Sequence, residues 1–582
     1  MIVARILDAF GDLLGHLDGL APGNTLNPGR QPYDETIEDD PRFAFLPDGA
    51  LPLDPERAAI VAVIDDAVPF AHERLRVGTA ARVASVWFQG APLDPSTPVG
   101  RDLPFGRELR GAQISELAAK LASGALPDED ALYRASGLLD MTRDGPQRLA
   151  LAQGHGAAVA GLAAGFGPHE AATARGLPVI AVCLPPHVVR DTLGTVAPLF
   201  LTLAILHIIH RARRLCRFLE RRRGLSEGSL RLPVVINLSF GLSAGPKDGS
   251  SDLEQLMDAI SAEAADDLGP VRFVVAIGNH RLARIRARVA AGASEPLLWH
   301  VRPEDATPSF IEVWGPPRAG TAPPAEPMQV ECRPPGRSQP LTTSFSTHGS
   351  YQRLMAGGHE VARAYLQHRV FEGQGREVVT LAIPPTLPER LGAPYGSPGC
   401  WRLRVLASDG DFDVFVQSDG DIEDLRVRGG QQSRLVDAAD PIFGANGRVV
   451  LHDDPAKLHG VLRAGTINAY ATGREALRAG GEFEATRAVA PFSSLGPEAR
   501  APDAEGDVRA PAATSEAWPA LRVMGSRSGA WGEMAGTSMA APVVARELAG
   551  AFAEGVVKDA SHDALAALLR QRLRDTARSE TG

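Results

Sequence analysis

Residues 58–65 read AAIVAVID, a nearly continuous apolar run that ends at Asp65. Similar apolar runs follow as LPVIAVCLP at 177–185, LPVVINLSFG at 232–241 and VRFVVAIGN at 271–279. Continuous apolar runs of this length are typical of strands that are buried on both faces of a parallel sheet. Because helical patterns separate the runs, the sequence predicts βαβ units and an α/β fold with a doubly wound, mostly parallel sheet.

The sequence pattern changes after about residue 295. A Pro-rich stretch is followed by short β-type runs bounded by Gly, Pro and Asp, which read SFIEVWG, EVVTLAIPP, CWRLRVLAS, FDVFVQS and GRVVLH. No long helical pattern separates them, so we predict an inserted antiparallel β-sandwich domain. The expected organisation is an N-terminal helical and extended segment at 1–58, an α/β domain in two parts at 59–294 and 466–582, and the insert at 295–465.

Composition narrows the class of partner. The 582 residues carry a formal net charge of -10, with 44% hydrophobic and 22% charged residues. An acidic chain is poorly suited to bind a phosphate backbone, so we expect no nucleic-acid partner. Four cysteines lie far apart and form no CxxC pair, so we predict reduced thiols and neither a zinc site nor a disulfide framework; they are Cys183, Cys216, Cys332 and Cys400.

Two other stretches of sequence indicate the cellular location of the protein. The pattern at 1–20 is that of an amphipathic helix and lacks the continuous apolar region of a signal peptide. The apolar stretch at 195–209 is short of a bilayer span and contains Pro198 and His207, so we interpret it as a buried helix. We therefore expect a cytoplasmic protein with no membrane partner. The basic stretch at 211–224 is expected to be a solvated helix face.

Two short motifs carry candidate reacting groups. Ser538 lies in GTSMAAP, where small residues permit a tight turn into a helix. The N-terminus of a helix favours developing negative charge, although such a serine can also serve only as a helix cap. His155 lies in GHGAAVAG, between glycines that allow close approach of another segment. A neutral imidazole suits proton transfer, although a single histidine is more often structural.

Polar side chains also follow two of the apolar runs. Asp65 ends the first run and Asn279 ends the fourth, so both are expected at the carboxyl edge of the sheet. A buried Asp65 needs a partner, which a histidine N–H would supply, and Asp66 is the neighbouring alternative. Asn279 offers an amide donor to an oxyanion without titrating, although a turn residue or helix cap is its ordinary role.

Taken together, these motifs resemble the subtilisin-like serine protease family (subtilases, peptidase S8). VAVID, GHGAAVAG and VAIGN resemble the family's aspartate, histidine and oxyanion motifs, and GTSMAAP is the most specific match. The chain order Asp, His, Ser is also that of the family. INLSFG, with Ser239, Phe240 and Gly241, resembles the segment whose backbone pairs with substrate as a β-strand. The resemblance covers about 59–290 and 466–582.

The resemblance implies a serine endopeptidase that acts on protein or peptide substrates through an acyl-enzyme. Ser538 would be the nucleophile, His155 the base, Asp65 its orienting anion and Asn279 the oxyanion donor. A catalytically silent relative that binds peptides in the same groove is the alternative. An esterase is disfavoured because GTSMA does not match the G-x-S-x-G elbow of that class.

Several residues depart from the family pattern near the motifs, and these changes leave the reacting groups in place but alter the expected substrate pocket; they are Ala67, Ala157, Ala158, His280 and Arg281. No cofactor is expected. Many subtilases bind calcium, but no calcium site can be assigned here. The aspartate-rich stretch SDGDFDVFVQSDGDIED lacks the glycine of a calcium loop in its first part, so a turn, a strand and a second turn are expected there.

Overall fold

The computed structural model describes residues 30–138, 148–190, 196–263, 267–388, 390, 392–406, 410–418, 429–497 and 504–581. The expected helix at 1–20 lies outside the described residues, as do 408–409 and 419–424 of the aspartate-rich stretch. Within the described ranges, no helix is long and apolar enough to cross a membrane.

An eight-stranded sheet lies at the centre of the fold. Its strands, numbered along the chain, are β1 (Ile60–Asp65), β4 (Val83–Phe88), β5 (Arg107–Arg110), β6 (Val179–Cys183), β7 (Val234–Leu238), β8 (Val271–Ala276), β22 (Leu477–Phe483) and β23 (Val508–Ala513). Their order is β23-β22-β8-β7-β1-β6-β4-β5, and only the β4–β5 pair is antiparallel. The four apolar runs are thereby confirmed as β1, β6, β7 and β8, which are adjacent parallel strands.

Helices cover both faces of this sheet. They are α1 (Gly111–Ala122), α2 (Glu129–Ala135), α3 (His155–Ala164), α4 (Ala171–Arg175), α5 (Pro186–Arg190), α6 (Ala197–Arg223), α7 (Asp252–Ala262), α8 (Thr537–Ala553) and α9 (His562–Thr581). Val61 and Val63 of β1 belong to the apolar cluster that contains residues of α3 and α8. Ile60 and Ile64 belong to the cluster that contains residues of α6 and α7. The mixed α/β class is confirmed, and the stretch at 195–209 lies largely in the buried part of α6.

A second body of structure is antiparallel. One of its sheets contains β9 (Arg286–Val289), β11 (Ser309–Trp314), β12 (Arg318–Ala319), β15 (Tyr351–Ala356), β16 (His359–Phe371), β17 (Gln374–Ile383), β19 (Phe412–Val416) and β21 (Gly460–Val461). The other contains β10 (Leu297–Val301), β13 (Val330–Arg333), β14 (Leu341–Thr342), β18 (Gly399–Val405) and β20 (Arg434–Val436). The two sheets share a core that includes the buried Trp299 and Trp401. The limits 295–465 stay a prediction, and β9 precedes them.

The antiparallel sheets differ from the sequence expectation at two places. The longest strand, β16, was not predicted because its alternating side chains include exposed Arg and His and form no apolar run. GRVVLH was expected as a β-type run, but it forms only an isolated bridge between Val449 and Phe443. Neighbouring strands on both sides, β15 and β17, supply the hydrogen bonds that make β16 a strand.

Polar contacts join the antiparallel sheets to the segment that follows β7. Ser243 Oγ donates to Val416 O at 3.1 Å, and Gln417 Oε1 accepts from Ala244 N at 2.9 Å. The buried Lys247 donates from Nζ to Gly465 O at 3.1 Å. Burial lowers the pKa of Lys247 from 10.5 to about 7. The antiparallel sheets and the chain that adjoins them are therefore in direct contact with the segment immediately beyond the candidate substrate strand.

The basic helix face is not simply solvated. Arg211 is fully buried and pairs with Glu108 and Asp102, and Arg214 pairs with the buried Glu38. Burial raises the pKa of Glu38, but the hydrogen bonds it accepts, first from Arg214, outweigh burial and lower it below 4.5. The expectation of a solvated face is wrong for these two arginines, because other segments, among them the one before β1, bring carboxylates to them.

The remaining strands form two hairpins. One, β2 (Arg76–Val77) with β3 (Ala80–Ala81), precedes β4. The other, β24 (Leu521–Met524) with β25 (Trp531–Met534), ends two residues before Gly536 and the start of α8. The second hairpin therefore delivers the chain to the GTSMAAP motif.

Candidate active site

Asp65 and His155 meet at the carboxyl end of β1. Asp65 is 5% exposed, and its Oδ1 lies 2.8 Å from Nδ1 of His155, the first residue of α3. An ionised carboxylate can only accept, so Nδ1 carries the proton and donates to Asp65. This tautomer leaves Nε2 of the imidazole with a lone pair, which is the form that a general base requires.

Asp66 contacts the backbone of the same helix. Its Oδ1 accepts from Gly156 N at 2.7 Å and from Ala67 N at 2.6 Å. The α3 N-cap is Gly154, which has no side chain to bind the first-turn amides, so Asp66 binds one of them instead. A Cβ at position 156 would lie 2.5 Å from Ala67 O, so only glycine fits there. Of the two acidic residues, Asp65 is the one that contacts the imidazole.

Ser538 is the second residue of α8. The N-cap of this helix is Gly536, whose φ of 136° favours glycine, so the alternative that Ser538 is the cap is wrong. Ser538 Oγ donates to Ser239 O at 3.5 Å, and Ser239 Oγ donates to Ser538 O at 3.0 Å. Since Ser239 directly follows β7, these contacts place Ser538 at the carboxyl edge of the sheet, beside the strand that ends at Asp65.

Asn279 is attached to the start of the same helix. Its Oδ1 accepts from Thr537 N at 2.8 Å and from Thr537 Oγ1 at 3.0 Å. Thr537 Oγ1 in turn accepts from Gly278 N at 3.1 Å. With Oδ1 bound in this way, the Nδ2 group of the exposed Asn279 side chain is the one left to donate to a ligand. Asn279 is therefore bound to Thr537, the residue immediately before Ser538.

Within the candidate substrate segment Ser239, Phe240 and Gly241, the last two residues contact a side chain that the sequence motifs did not reveal. The buried Asn468 donates from Nδ2 to Phe240 O at 3.2 Å and to Ala276 O at 3.0 Å, and its Oδ1 accepts from Leu242 N at 3.1 Å. A Cβ at position 241 would lie 2.2 Å from Asn468 Cγ. Asn468 thus joins the candidate substrate strand to the end of β8. No sequence motif signals this role, because its partners lie more than 190 residues away.

Two nearby groups are held in their neutral forms. Burial, aided by the charge of Lys247, lowers the pKa of His280 from 6.5 to about 4, so this neighbour of Asn279 is uncharged at neutral pH. Burial also raises the pKa of Cys183, whose Sγ accepts from Val68 N at 3.2 Å. All four cysteines are free. Among the described residues, no group of three or more His, Cys, Asp or Glu side chains is arranged to hold a metal ion.

Part of the chain is similar to a known protein family. Residues 401–581, which include Ser538, match the Peptidase_S8 model, described as the subtilase family. The class is therefore that of a serine protease, a hydrolase. Over these residues the chain is similar to the subtilase family, so the resemblance seen in the sequence motifs is confirmed.

A solved structure shares the fold. The structure of the Clostridium perfringens CspB protease aligns with a TM-score of 0.56 at 16% sequence identity, over 87% of this chain and 85% of that chain. At this identity the likeness concerns the fold alone. No curated protein sequence matches the chain.

Proposed function

We propose that this protein is an active serine endopeptidase that cleaves protein or peptide chains through an acyl-enzyme on Ser538. The observation that carries the proposal is the 2.8 Å contact between Asp65 Oδ1 and His155 Nδ1. It lies at the sheet edge where Ser538 and Asn279 also gather. A silent relative would have no need to keep all four groups, so their joint presence favours activity.

In the first half of the proposed reaction, Ser538 Oγ attacks the scissile carbonyl carbon and passes its proton to His155 Nε2. Asp65 stabilises the imidazolium that forms, and Asn279 Nδ2 donates to the oxyanion together with the amide of Ser538 in the first turn of α8. When the carbon–nitrogen bond breaks, His155 returns the proton to the leaving amine, and the acyl group stays on Oγ.

In the second half, water attacks the acyl carbon and gives a proton to His155, and the ester bond to Ser538 breaks as Oγ takes that proton back. The carboxylic acid product leaves and the starting enzyme is restored. Ser239, Phe240 and Gly241 are proposed to hold the substrate as an added β-strand, which presents one carbonyl at a time to the nucleophile. Neither half requires a cofactor.

We also propose a domain architecture for the enzyme. We assign the catalytic unit to a doubly wound, subtilisin-like sheet formed by 59–294 and 466–582, with an inserted antiparallel β-sandwich at 295–465. The free cysteines fit a reducing compartment, so we place the enzyme in the cytoplasm.

Labelling with a fluorophosphonate tests the proposal without knowledge of the natural substrate. Wild type should be labelled, and both Ser538→Ala and His155→Ala should lose the label while keeping the wild-type circular dichroism spectrum. Label that persists in Ser538→Ala would overturn the assignment of the nucleophile. A folded wild type that stays unlabelled but binds unfolded peptides would instead favour the silent alternative.

A further inference from the structure

Gln153 joins the segment before His155 to the hairpin before Ser538. Its Nε2 donates to Glu533 O at 2.7 Å, and its Oε1 accepts from Glu533 N at 3.2 Å. A third hydrogen bond runs from Ser526 N to Ala152 O at 3.0 Å. Since a carboxamide offers one donor and one acceptor like a peptide group, Gln153 pairs with β25 as a neighbouring strand would.

The hairpin is shaped to receive this side chain. A Cβ at position 532 would lie 2.4 Å from Gln153 Oε1, so Gly532 leaves the space that the carboxamide occupies. Nearby, a Cβ at Gly161 of α3 would lie 2.5 Å from the Cβ of Met524 in β24. Two glycines, one on each element, therefore allow the hairpin and the His155 helix to pack closely.

This contact joins the chain segments that carry His155 and Ser538, two reacting groups that are far apart in the sequence. Gln153 precedes His155 by two residues and Glu533 precedes Ser538 by five, whereas Gln153 and Glu533 are separated by 380 residues. Reacting atoms must be placed to within a fraction of an ångström, and a 1 Å displacement can cost on the order of 100-fold in rate. A double hydrogen bond between the two segments limits that displacement.

We propose that Gln153 is a positioning residue, which sets the distance between the His155 imidazole and the Ser538 hydroxyl through its pairing with Glu533. The inference rests on the proposed function. It assigns no contact with substrate to Gln153. Its loss should therefore slow the attack by Ser538 and leave substrate affinity nearly unchanged.

The first test is a double-mutant cycle read by fluorophosphonate labelling. Gln153→Ala removes the carboxamide, and Gly532→Ala displaces it by occupying its space. Each should slow labelling by roughly 10- to 100-fold, and the double variant should be no slower than the slower single variant, because both remove one interaction. The exposed Gln374→Ala in β17 is the matched control and should label like wild type. Fully additive effects, or a Gln153→Ala rate within twofold of the control, would overturn the inference.

The second test separates positioning from general destabilisation. Gln153→Glu places a carboxylate oxygen against Glu533 O at neutral pH, but the protonated acid offers one donor and one acceptor, as glutamine does. The labelling rate of Gln153→Glu relative to wild type should therefore rise as pH falls toward 5, whereas the ratio for Gln153→Ala should stay flat. A flat ratio for Gln153→Glu would contradict the inference. If wild type is itself unlabelled, the proposed function fails first, which distinguishes the two failures.

Discussion

Asp65 and Asp66 are adjacent in the chain, yet their carboxylates bind different groups of α3. Asp65 is the last residue of β1 and Asp66 is the first residue beyond it; the carboxylate of Asp65 reaches the imidazole of His155, and that of Asp66 reaches the amide of Gly156. The pair therefore fixes both the ring and the helix that carries it. A single acidic residue at this position would leave one of the two without its partner.

Asparagine at each position should separate these roles. Asp65→Asn places an amide donor opposite Nδ1, which favours the wrong imidazole tautomer, and should lower kcat on the order of 10⁴-fold. Asp66→Asn keeps an oxygen to accept from Gly156 N, so its kcat should stay within about tenfold of wild type. Steady-state cleavage of a fluorogenic peptide measures both. Equal losses in the two variants would contradict the assignment of Asp65.

Asn279 has two proposed functions, to donate to the oxyanion and to anchor Thr537, and substitution can separate them. Asn279→Ala loses the Nδ2 donor and should lower kcat by about 10²–10³ with little change in KM. Asn279→Asp keeps an oxygen to accept from Thr537 but places negative charge at the proposed oxyanion site, so its loss should be at least as large. Peptide hydrolysis measures both variants. If Asn279→Asp were active, anchoring of Thr537 would be the main function.

At the scale of elements, an ion pair attaches α9 to the edge of the central sheet. His562 Nε2 lies 3.1 Å from Oδ2 of Asp507, the residue before β23, and Arg478 donates to Asp507 Oδ1 at 2.5 Å. Burial raises the pKa of Asp507, but these hydrogen bonds outweigh burial and lower it from 3.8 to about 2. The hydrogen bond with Asp507 raises the pKa of His562 above 6.5, against the effect of burial.

This ion pair predicts a pH dependence of stability. Because the pKa of His562 is raised on folding, its stabilisation is full below pH 6.5 and is lost as pH rises through the higher folded value. Because the pKa of Asp507 is lowered, its stabilisation is full above pH 3.8 and is lost as pH falls toward about 2. The free energy of unfolding, obtained from thermal melts, should fall by about 1 kcal/mol between pH 5 and pH 9. This fall should be absent in His562→Gln. An identical fall in that variant would exclude His562 as its source.

At the scale of the whole molecule, the antiparallel sheets pack against the chain beyond the candidate substrate strand. Ala244 lies in an apolar cluster with Trp314 of β11 and Phe415 of β19. Arg376 of β17 donates to Pro246 O at 3.1 Å and to Asp248 at 3.2 Å. The antiparallel sheets, whose strands lie between Asn279 and Ser538 in the chain, therefore brace the segment that follows Gly241.

Deletion of 295–465 with a Gly/Ser bridge should leave the central sheet folded, because that sheet has its own two apolar clusters. Without its partners the segment at 243–248 becomes mobile, so KM for a fluorogenic peptide should rise about tenfold while kcat falls less. Gln417→Ala, which removes the acceptor for Ala244 N, should give a smaller rise in the same direction. Failure to fold would refute the prediction of an independent domain, and an unchanged KM in both variants would refute the bracing function.

The sequence by itself determined the class of the fold and the candidate reacting groups. Strands that are buried on both faces must be apolar at nearly every position, so β1, β6, β7 and β8 were visible as continuous runs. The glycine and small-residue motifs around His155 and Ser538 permit tight turns. They also allow close packing against segments that are distant in the sequence. The apolar runs could be predicted because their physical cause acts over a few residues of chain, whereas the functions assigned to the motifs around His155 and Ser538 came from their resemblance to the subtilase family.

Only the tertiary structure decided which partners these groups take. The choice of Asp65 over Asp66, the pairing of Gln153 with Glu533 and the contacts of Asn468 each join segments that lie 90 to 380 residues apart. Strand β16 likewise became a strand through hydrogen bonds to its neighbours and not through its own composition. Such contacts depend on how sheets, helices and hairpins pack against one another, and no local periodicity records that packing.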